Sequence, residues 1–402
     1  MSAPSKETSR IRLDELFFSR TDARGVIRGA NSIFAHVSDY AMSSMLGAPH
    51  RLVRHPDMPR GVFRLMWDRL EAGQPVGAYV KNMARDQTHY WVFAVVSPIE
   101  EGFVSVRLKP SSPLFAEVEA LYKRLRADED AGKADPGTSA QNLLDALESM
   151  GFPSYTAFMS KALSEESERR ATALGRRGVS GLGRLAKLAE LTHSIADQVR
   201  LVDRVFRSTD QIPYNMRLQA GRMEGADGPI SVISENHRQM SFAVEDELKR
   251  FQSNALSGAT AIGDAAFLTA AAHLLEEMAV QFDAEPADEA VNVPVERANL
   301  TTLSGSYGRQ ARAGVALVIR DATKLGRQCR AMRRVIAGLE MTRIMCKIER
   351  GRVTGNTEGL DEIVSRLSDA EEKLNIALSE IETAVFNALQ VAGAMSEQKD
   401  VA

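Results

Sequence analysis

Apolar residues recur at two different spacings along this chain, and the change falls near residue 113. Before it, the stretch "FFSRTDARGVIRGAN" reads as two short strands joined by "TDARG", while "VGAYVKN", "HYWVFAVVSPI" and "FVSVRL" alternate or run apolar as strands of a half-buried sheet do. Between these groups lies "PRGVFRLMWDRLEAG". Its Phe63, Met66, Trp67 and Leu70 fall at i, i+3, i+4 and i+7, which gives one apolar helix face, with Pro59 near the first turn and Gly73 just past the last. The pattern predicts a small α+β domain over 13–112 of two strands, short helices and a three-strand antiparallel meander, preceded by a flexible N-terminus over 1–12.

Beyond residue 113 the spacing is helical. Connector helices are expected over 113–175 ("SPLFAEVEALYKRLRADED", "QNLLDALESM", "SYTAFMSKALSEESERR"), broken by "AGKADPG" and "GFP". From Leu185 a heptad seam sets in: Leu188, Thr192, Ile195, Val199, Val202, Phe206 and Thr209, then Met216, Ala220 and Met223. It stops at "EGADGP" and restarts as Ile230, Ile233, His237, Met240, Val244 and Phe251, the pattern of a helical hairpin over 176–283. Setting "GRMEG" (221–225) against "GRVTG" (351–355) maps the first seam onto Val315, Val318, Ala322, Leu325, Cys329, Met332, Ile336 and Leu339, and the return arm onto Leu360, Ile363, Leu367, Ala370, Leu374, Ala377 and Ile381. Apart from the turn-proximal Arg343 and Arg350 the register holds through both arms, so 296–396 is a second hairpin repeating the first, joined to it by a Pro- and Glu-rich linker over 284–295. Two hairpins with apolar seams can bury them against each other, which predicts an all-α antiparallel four-helix bundle, coiled-coil in character, made by one chain.

Composition narrows the function by exclusion. A net charge of −3 with scattered Lys and Arg leaves no basic footprint for nucleic acid. The 2 cysteines, Cys329 and Cys346, are too few for a disulfide framework and suit a reducing compartment. The N-terminus has no apolar leader, and "GDAAFLTAAAHLLEEMAVQF" is interrupted by His273 and a Glu pair, so a cytoplasmic protein outside the membrane is expected. No nucleotide-binding, nucleophile-elbow, zinc-hydrolase, kinase or cyclase signature is visible, and no enzyme or metal site is expected. The pairs Glu276–Glu277 and Glu371–Glu372 read as solvated charge on polar helix faces.

Two resemblances sharpen the picture. The segment 28–99 is similar to the PAS sensor domain of bacterial aerotaxis transducers, through Asn31 at a helix start, "GAPHRLVRHPDMP" (47–59), "MW" (66–67), "VKN" (80–82) and "HYWV" (89–92). That resemblance implies a non-covalently bound FAD that reports redox state or oxygen. It assigns Asn31, Arg54, His55, Asp57, Phe63, Trp67 and Tyr90 to the cofactor, with Arg51 and His50 as weaker members of the set. A flavin dinucleotide needs an apolar slot for its ring, polar groups at the ring edge, and cations or backbone N–H groups for its pyrophosphate. Arg54 and His55, just before a helix N-terminus, suit the last requirement. Asp57 can instead cap that helix or pair with Arg54, Asn31 can cap its own helix, and His89 and Trp91 should face away from Tyr90. Haem, on an axial His36, His50, His55 or His89, and an empty docking domain are the alternatives. Cysteine-adduct photochemistry is excluded because neither cysteine lies in this domain.

The segment "NMRLQAGRMEGADGPISVISENHRQM" (215–240) resembles the hairpin tip of bacterial chemoreceptors at Asn215, Leu218, Gln219, Ala220, Arg222, Gly228, Ile230, Val232, Ile233 and Arg238, with Gln219 in place of a glutamate. "CKIERGRVTG" (346–355) echoes it, with Glu349 and Arg352. This resemblance implies a protein partner at the bundle, a chemotaxis kinase, its coupling protein or another signalling protein, and it is compatible with a homo-oligomer.

Overall fold

The computed structural model of the protein describes residues 6–7, 10–221, 227–285, 291–352 and 358–397. The two expected tips at 222–226 and 353–357, residues 286–290 of the expected linker and most of the flexible N-terminus lie outside the described residues. Contacts divide the chain into two units, one of residues 1–182 and 263–312, the other of 183–262 and 313–402.

In the first unit the period-2 runs form the expected strands: β1 (Phe17–Asp22), β2 (Ile27–Ala30), β3 (Val76–Met83), β4 (His89–Ile99) and β5 (Gly102–Leu108). They make one sheet in the order β2-β1-β5-β4-β3 with every neighbouring pair antiparallel. Three short helices, α1 (Ser32–Ser38), α2 (Met42–Met45) and α3 (Arg60–Glu71), fill the connection between β2 and β3. Helix α3 ends where the pattern placed it: Gly73, at φ +73°, takes the left-handed turn that releases the chain toward β3.

The sheet is buried on both faces. On one, Tyr79 and Trp91 meet Phe115 at ring-centroid distances of 5.4 and 5.2 Å, and Tyr79 meets Phe158, from the connector helices α4 (Pro113–Asp130) and α6 (Tyr155–Ala173). Trp91 therefore faces this helical side, as the alternation about Tyr90 requires. Glu166 of α6 is fully buried there yet satisfied: the Tyr79 hydroxyl donates to it at 2.8 Å, the Ser112 hydroxyl at 2.6 Å and the Ser111 amide at 2.6 Å. Such charge-assisted bonds to a buried carboxylate fix α6 and the start of α4 on the sheet. Helix α5 (Pro136–Ser149) packs on α3 so closely that a Cβ on Gly61 would come within 2.5 Å of the Ala140 backbone nitrogen.

Residues 263–312 join this unit, whereas the periodicity assigns them to the hairpins and the linker between them. They come from α9 (Asp227–Gln281), α10 (Val293–Arg352) and the residues between them. Phe282 packs edge-on against Phe18 at 5.0 Å, and the Arg20 guanidinium bonds Glu296 at 2.9 Å. The expected solvated glutamate pair is engaged instead: Glu276 accepts from Ser304, and Glu277 accepts from Arg170 and Arg176. One stretch, Gly228–Ala284, is long and apolar enough to cross a membrane by length and composition, and 56% of its most apolar window is buried within the protein.

The second unit has one core drawn from α7 (Leu182–Thr209), α8 (Ile212–Ala220), α9, α10 and α11 (Glu358–Glu397). Leu185, Leu188, Thr192, Ile195, Val199, Val202, Phe206 and Thr209 of the first seam are all buried, as are Val318 through Leu339 of the mapped seam and all seven positions from Leu360 to Ile381. The first arm is not one helix: it breaks between Thr209 and Ile212, where Pro213 has no N–H for a continuing ladder and starts α8. Polar contacts join neighbouring arms, Arg217 to Glu235, Asn254 to Gln328, Arg333 to Glu382 and Arg366 to the Ser208 carbonyl. Glu371 is no solvated charge either, since the Arg343 guanidinium holds it at 2.9 Å.

Candidate ligand cavity in the first unit

Opposite its helix-covered face, the sheet and α3 enclose a cavity of about 470 Å³. Register decides which side chains reach it. Ser19 pairs with Ser105, Phe17 with Arg107, and Arg107 in turn with Ala94, so these positions share one face with Val96, Val80 and Asn82. The far wall is the apolar stripe of α3, whose four residues Phe63, Met66, Trp67 and Leu70 all line the cavity. Trp67 is 39% exposed and stands edge-on to Phe103 at 5.3 Å, so its ring closes one side of the opening.

The electrostatics are one-sided. Arg24, Arg51, Arg54 and Arg107 line the cavity, and among the described residues no carboxylate does. Arg54 lies over the Phe63 ring, 3.7 Å from its centroid. Arg107, only 4% exposed, projects from near the end of β5. Its Nη2 donates to Ser19 Oγ at 2.8 Å and contacts His50 Nε2 at 2.7 Å, while Nη1 has no partner. A guanidinium only donates, so His50 Nε2 accepts and the ring proton sits on Nδ1. Burial, then the Arg107 charge, pushes the His50 pKa down to about 3, which keeps this ring neutral. Burial also lowers Arg107, to about 10, leaving it charged at neutral pH. Ser105 Oγ is a second buried polar atom of the lining without a partner.

The residues assigned by resemblance separate into two groups. Arg54, Phe63 and Trp67 line the cavity, together with His50 and Arg51. Asn31, His55, Asp57 and Tyr90 do not. Asn31 is a clasp: its Oδ1 accepts from the amides of Phe18 and Phe34 and its Nδ2 donates to the Leu16 carbonyl, capping α1 and pinning β1. His55 Nδ1 accepts from the Asp57 amide, and the ring meets that of His89 at 5.9 Å. Burial, followed by the Lys81 charge, lowers its pKa to about 4. Asp57 neither caps α3 nor pairs with Arg54; its carboxylate accepts from Lys81 Nζ at 2.8 Å. Tyr90 is fully buried on the cavity side of β4 but packs against Phe17, 6.1 Å between centroids.

The expected anion site at the start of α3 is also corrected. Glu129 of α4 already sits there, accepting from the Arg60 amide at 2.9 Å and the Gly61 amide at 3.0 Å, with Arg126 alongside. The protein's own carboxylate thus satisfies two of the free N–H groups and sits at the positive end of the macrodipole.

Sequence reasoning missed Ser19, Asn82, Ser105 and Arg107. In "FVSVRL" the residues Ser105 and Arg107 are the polar half of an alternating strand, which ordinarily faces water. A strand whose apolar half is claimed by connector helices turns its polar half inward, and the long helical run after residue 113 was the available signal.

Residues 28–106 match a family model described as the PAS fold. The aerotaxis receptor of Escherichia coli (strain K12) is 37% identical over 129 residues, which is 31% of this chain and 26% of that receptor. The nitrogen fixation regulatory protein of Klebsiella pneumoniae is 33% identical over 81 residues, 20% of this chain and 16% of that protein. Among solved structures, the light-state structure of the blue-light photoreceptor Aureochrome1 LOV aligns at 19% identity over 29% of this chain and 94% of that one, with a TM-score of 0.24. The N-terminal domain is a PAS domain related to that of the aerotaxis receptor, and the match spans about a quarter of that receptor's length.

Proposed function

We propose that this chain is a cytoplasmic, non-enzymatic signal-transduction protein: its PAS domain holds FAD in the cavity, and its helical bundle passes the flavin's redox state to a protein partner. The observation that carries the reading is the cavity's composition. One wall is aromatic and aliphatic, the opposite wall is polar, and four arginines line it with no carboxylate among the described residues. A planar ring with a hydrogen-bonding edge and an anionic tail matches that set, and the unpartnered Arg107 Nη1 and Ser105 Oγ are buried polar atoms for which a ligand can substitute. Phe63 and Trp67 would flank the ring, Asn82, Ser105 and Arg107 would meet its edge, and Arg24, Arg51 and Arg54 would face the pyrophosphate. Bound flavin supplies a reversible change of ring charge and protonation. The protein excludes water from the ring through the α3 stripe and presents donors at its edge. The 37% identity to an aerotaxis receptor supports the redox reading.

Haem fits less well. Of the four histidines considered as axial ligands only His50 lines the cavity, and its Nε2 is engaged by Arg107.

A chemotaxis kinase, its coupling protein or another signalling protein is the partner class, supported by the receptor-like hairpin pattern. Exposed apolar residues on both hairpins, Tyr214, Leu218 and Val232 on one and Met341, Ile344 and Ile348 on the other, offer it contact surface. The test is the colour of purified full-length protein. A flavin spectrum that bleaches with dithionite, with FAD identified by mass spectrometry after denaturation, is expected. Colourless protein that takes up no added FAD overturns the reading, and a Soret band replaces it with haem.

A further inference from the structure

Arg107 is a charge without a counter-charge. It is 4% exposed, and both groups that it contacts through Nη2, the Ser19 hydroxyl and the neutral His50 ring, are uncharged. Among the described residues no carboxylate oxygen lies within ion-pairing distance of it, and the face of Phe34, 5.1 Å from its guanidinium carbon, adds only a quadrupole. An arginine cannot shed its proton to escape this situation, and an isolated charge in an apolar interior is costly. Nη1 is unpaired, and the residue lines the cavity. The compensating negative charge is therefore expected from whatever the cavity holds.

The position of Arg107 says which part of the ligand that is. Arg51 is exposed and Arg54 is held over Phe63, whereas Arg107 sits on the sheet floor between Phe17 and Ala94 in the register, opposite the apolar stripe of α3. The floor is where the edge of a planar ring would lie. Oxidised flavin is neutral in its ring; uptake of two electrons and one proton leaves the ring with one negative charge at neutral pH.

We propose that Arg107 selects the charge state of the bound ring, binding the reduced, anionic flavin more tightly than the oxidised one and so raising the potential at which this protein switches. The proposal rests on the flavin reading above and goes beyond it by assigning the preference to one residue. Burying a ring anion in an apolar slot would by itself disfavour reduction. A fixed cation at the floor reverses the sign, and Ser105 Oγ adds a neutral donor alongside.

The experiment uses the full chain loaded with FAD, titrated anaerobically with dithionite, which supplies the electrons, in the presence of a reference dye. Dissociation constants for oxidised and reduced FAD are measured in parallel. In the unaltered protein the bound flavin is expected at a more positive potential than free FAD under the same conditions; an equal or more negative one overturns the proposal. R107M, which keeps the length and loses the charge, is expected to bind oxidised FAD within a few-fold of the parent and reduced FAD at least tenfold more weakly. For a two-electron couple that tenfold is a shift of about 30 mV in the negative direction. R107K should recover most of it. If R107M is yellow and its potential equals the parent's, Arg107 has no such role while the flavin reading stands. If the parent takes up no FAD, both fail together. Should R107M not fold, the parent's potential relative to free FAD and the R107K titration still decide.

Discussion

At the scale of single residues, position on the register outweighs chemical type. Asn31 and Trp67 were assigned to the same ligand, yet the structure engages the Asn31 side chain with two backbone amides and a backbone carbonyl and leaves Trp67 at the cavity opening. Replacing the two should therefore have opposite consequences. Trp67→Ala is expected to weaken flavin retention on the order of tenfold with the melting transition nearly unchanged, because it removes a flat face from the ligand and little packing. Asn31→Ala should instead lower stability by about 1–3 kcal/mol, since it strands two buried amides and a carbonyl, while the folded fraction keeps its flavin. Denaturant unfolding with a parallel count of flavin per folded chain separates the two. A loss of flavin from well-folded Asn31→Ala would return that residue to the ligand. The sequence could not distinguish these roles. An asparagine before a helix satisfies both, and only the approach of Leu16 and Phe18, supplied by strand pairing, decides between them.

At the scale of elements, α3 illustrates what pattern alone reaches. Its apolar stripe, its proline entry and its glycine exit were all legible, because each follows from residues within the helix. What occupies its N-terminus was not, because Glu129 arrives from 69 residues away in sequence. The macrodipole argument correctly found a seat for an anion and mistook the occupant. Burial opposes ionisation of Glu129, but the Arg60 amide and the other donors around it, Arg126 included, outweigh burial and hold its pKa below the ordinary 4.5. A depressed carboxylate contributes stability that is present above its unfolded pKa and lost as pH falls through the folded one. Glu129→Gln is thus expected to cost about 1–3 kcal/mol at neutral pH, with the difference from the parent closing as the medium is acidified below pH 4.5. Urea midpoints of the two proteins across that range provide the check, and a difference independent of pH would assign the effect to packing. Helix α3 thus touches both the cavity and, through Glu129 and Gly61, the connector helices, so a ligand that shifts its stripe bears on α4 and α5 directly.

At the scale of the whole molecule, the duplicated seam is the feature most completely written in the sequence. A heptad repeat is redundant, and its burial follows from periodicity whether or not any one position is recognised. The places where it failed are those where a single residue overrides the period: Pro213 divides the first arm into α7 and α8. The division at residues 262 and 312 was equally invisible, since nothing in the helical period of α9 or α10 announces where the neighbours change. Leu374 is fully buried in the mapped seam, and Leu374→Ala is expected to destabilise the helical unit by about 2–5 kcal/mol. Circular dichroism in denaturant would show it, and an unshifted transition would remove this position from the core.

Carrying both hairpins on one polypeptide also changes what the cell can regulate. A bundle assembled from separate subunits loosens when diluted, because its formation depends on encounter; here each arm meets its counterpart at an effective concentration fixed by the tether. The melting temperature of the helical unit should accordingly stay constant over a hundredfold dilution, and expression level cannot titrate it. Each arm is also encoded separately, so a single codon change marks one of the two hairpins and leaves its twin free to keep or lose the same contact.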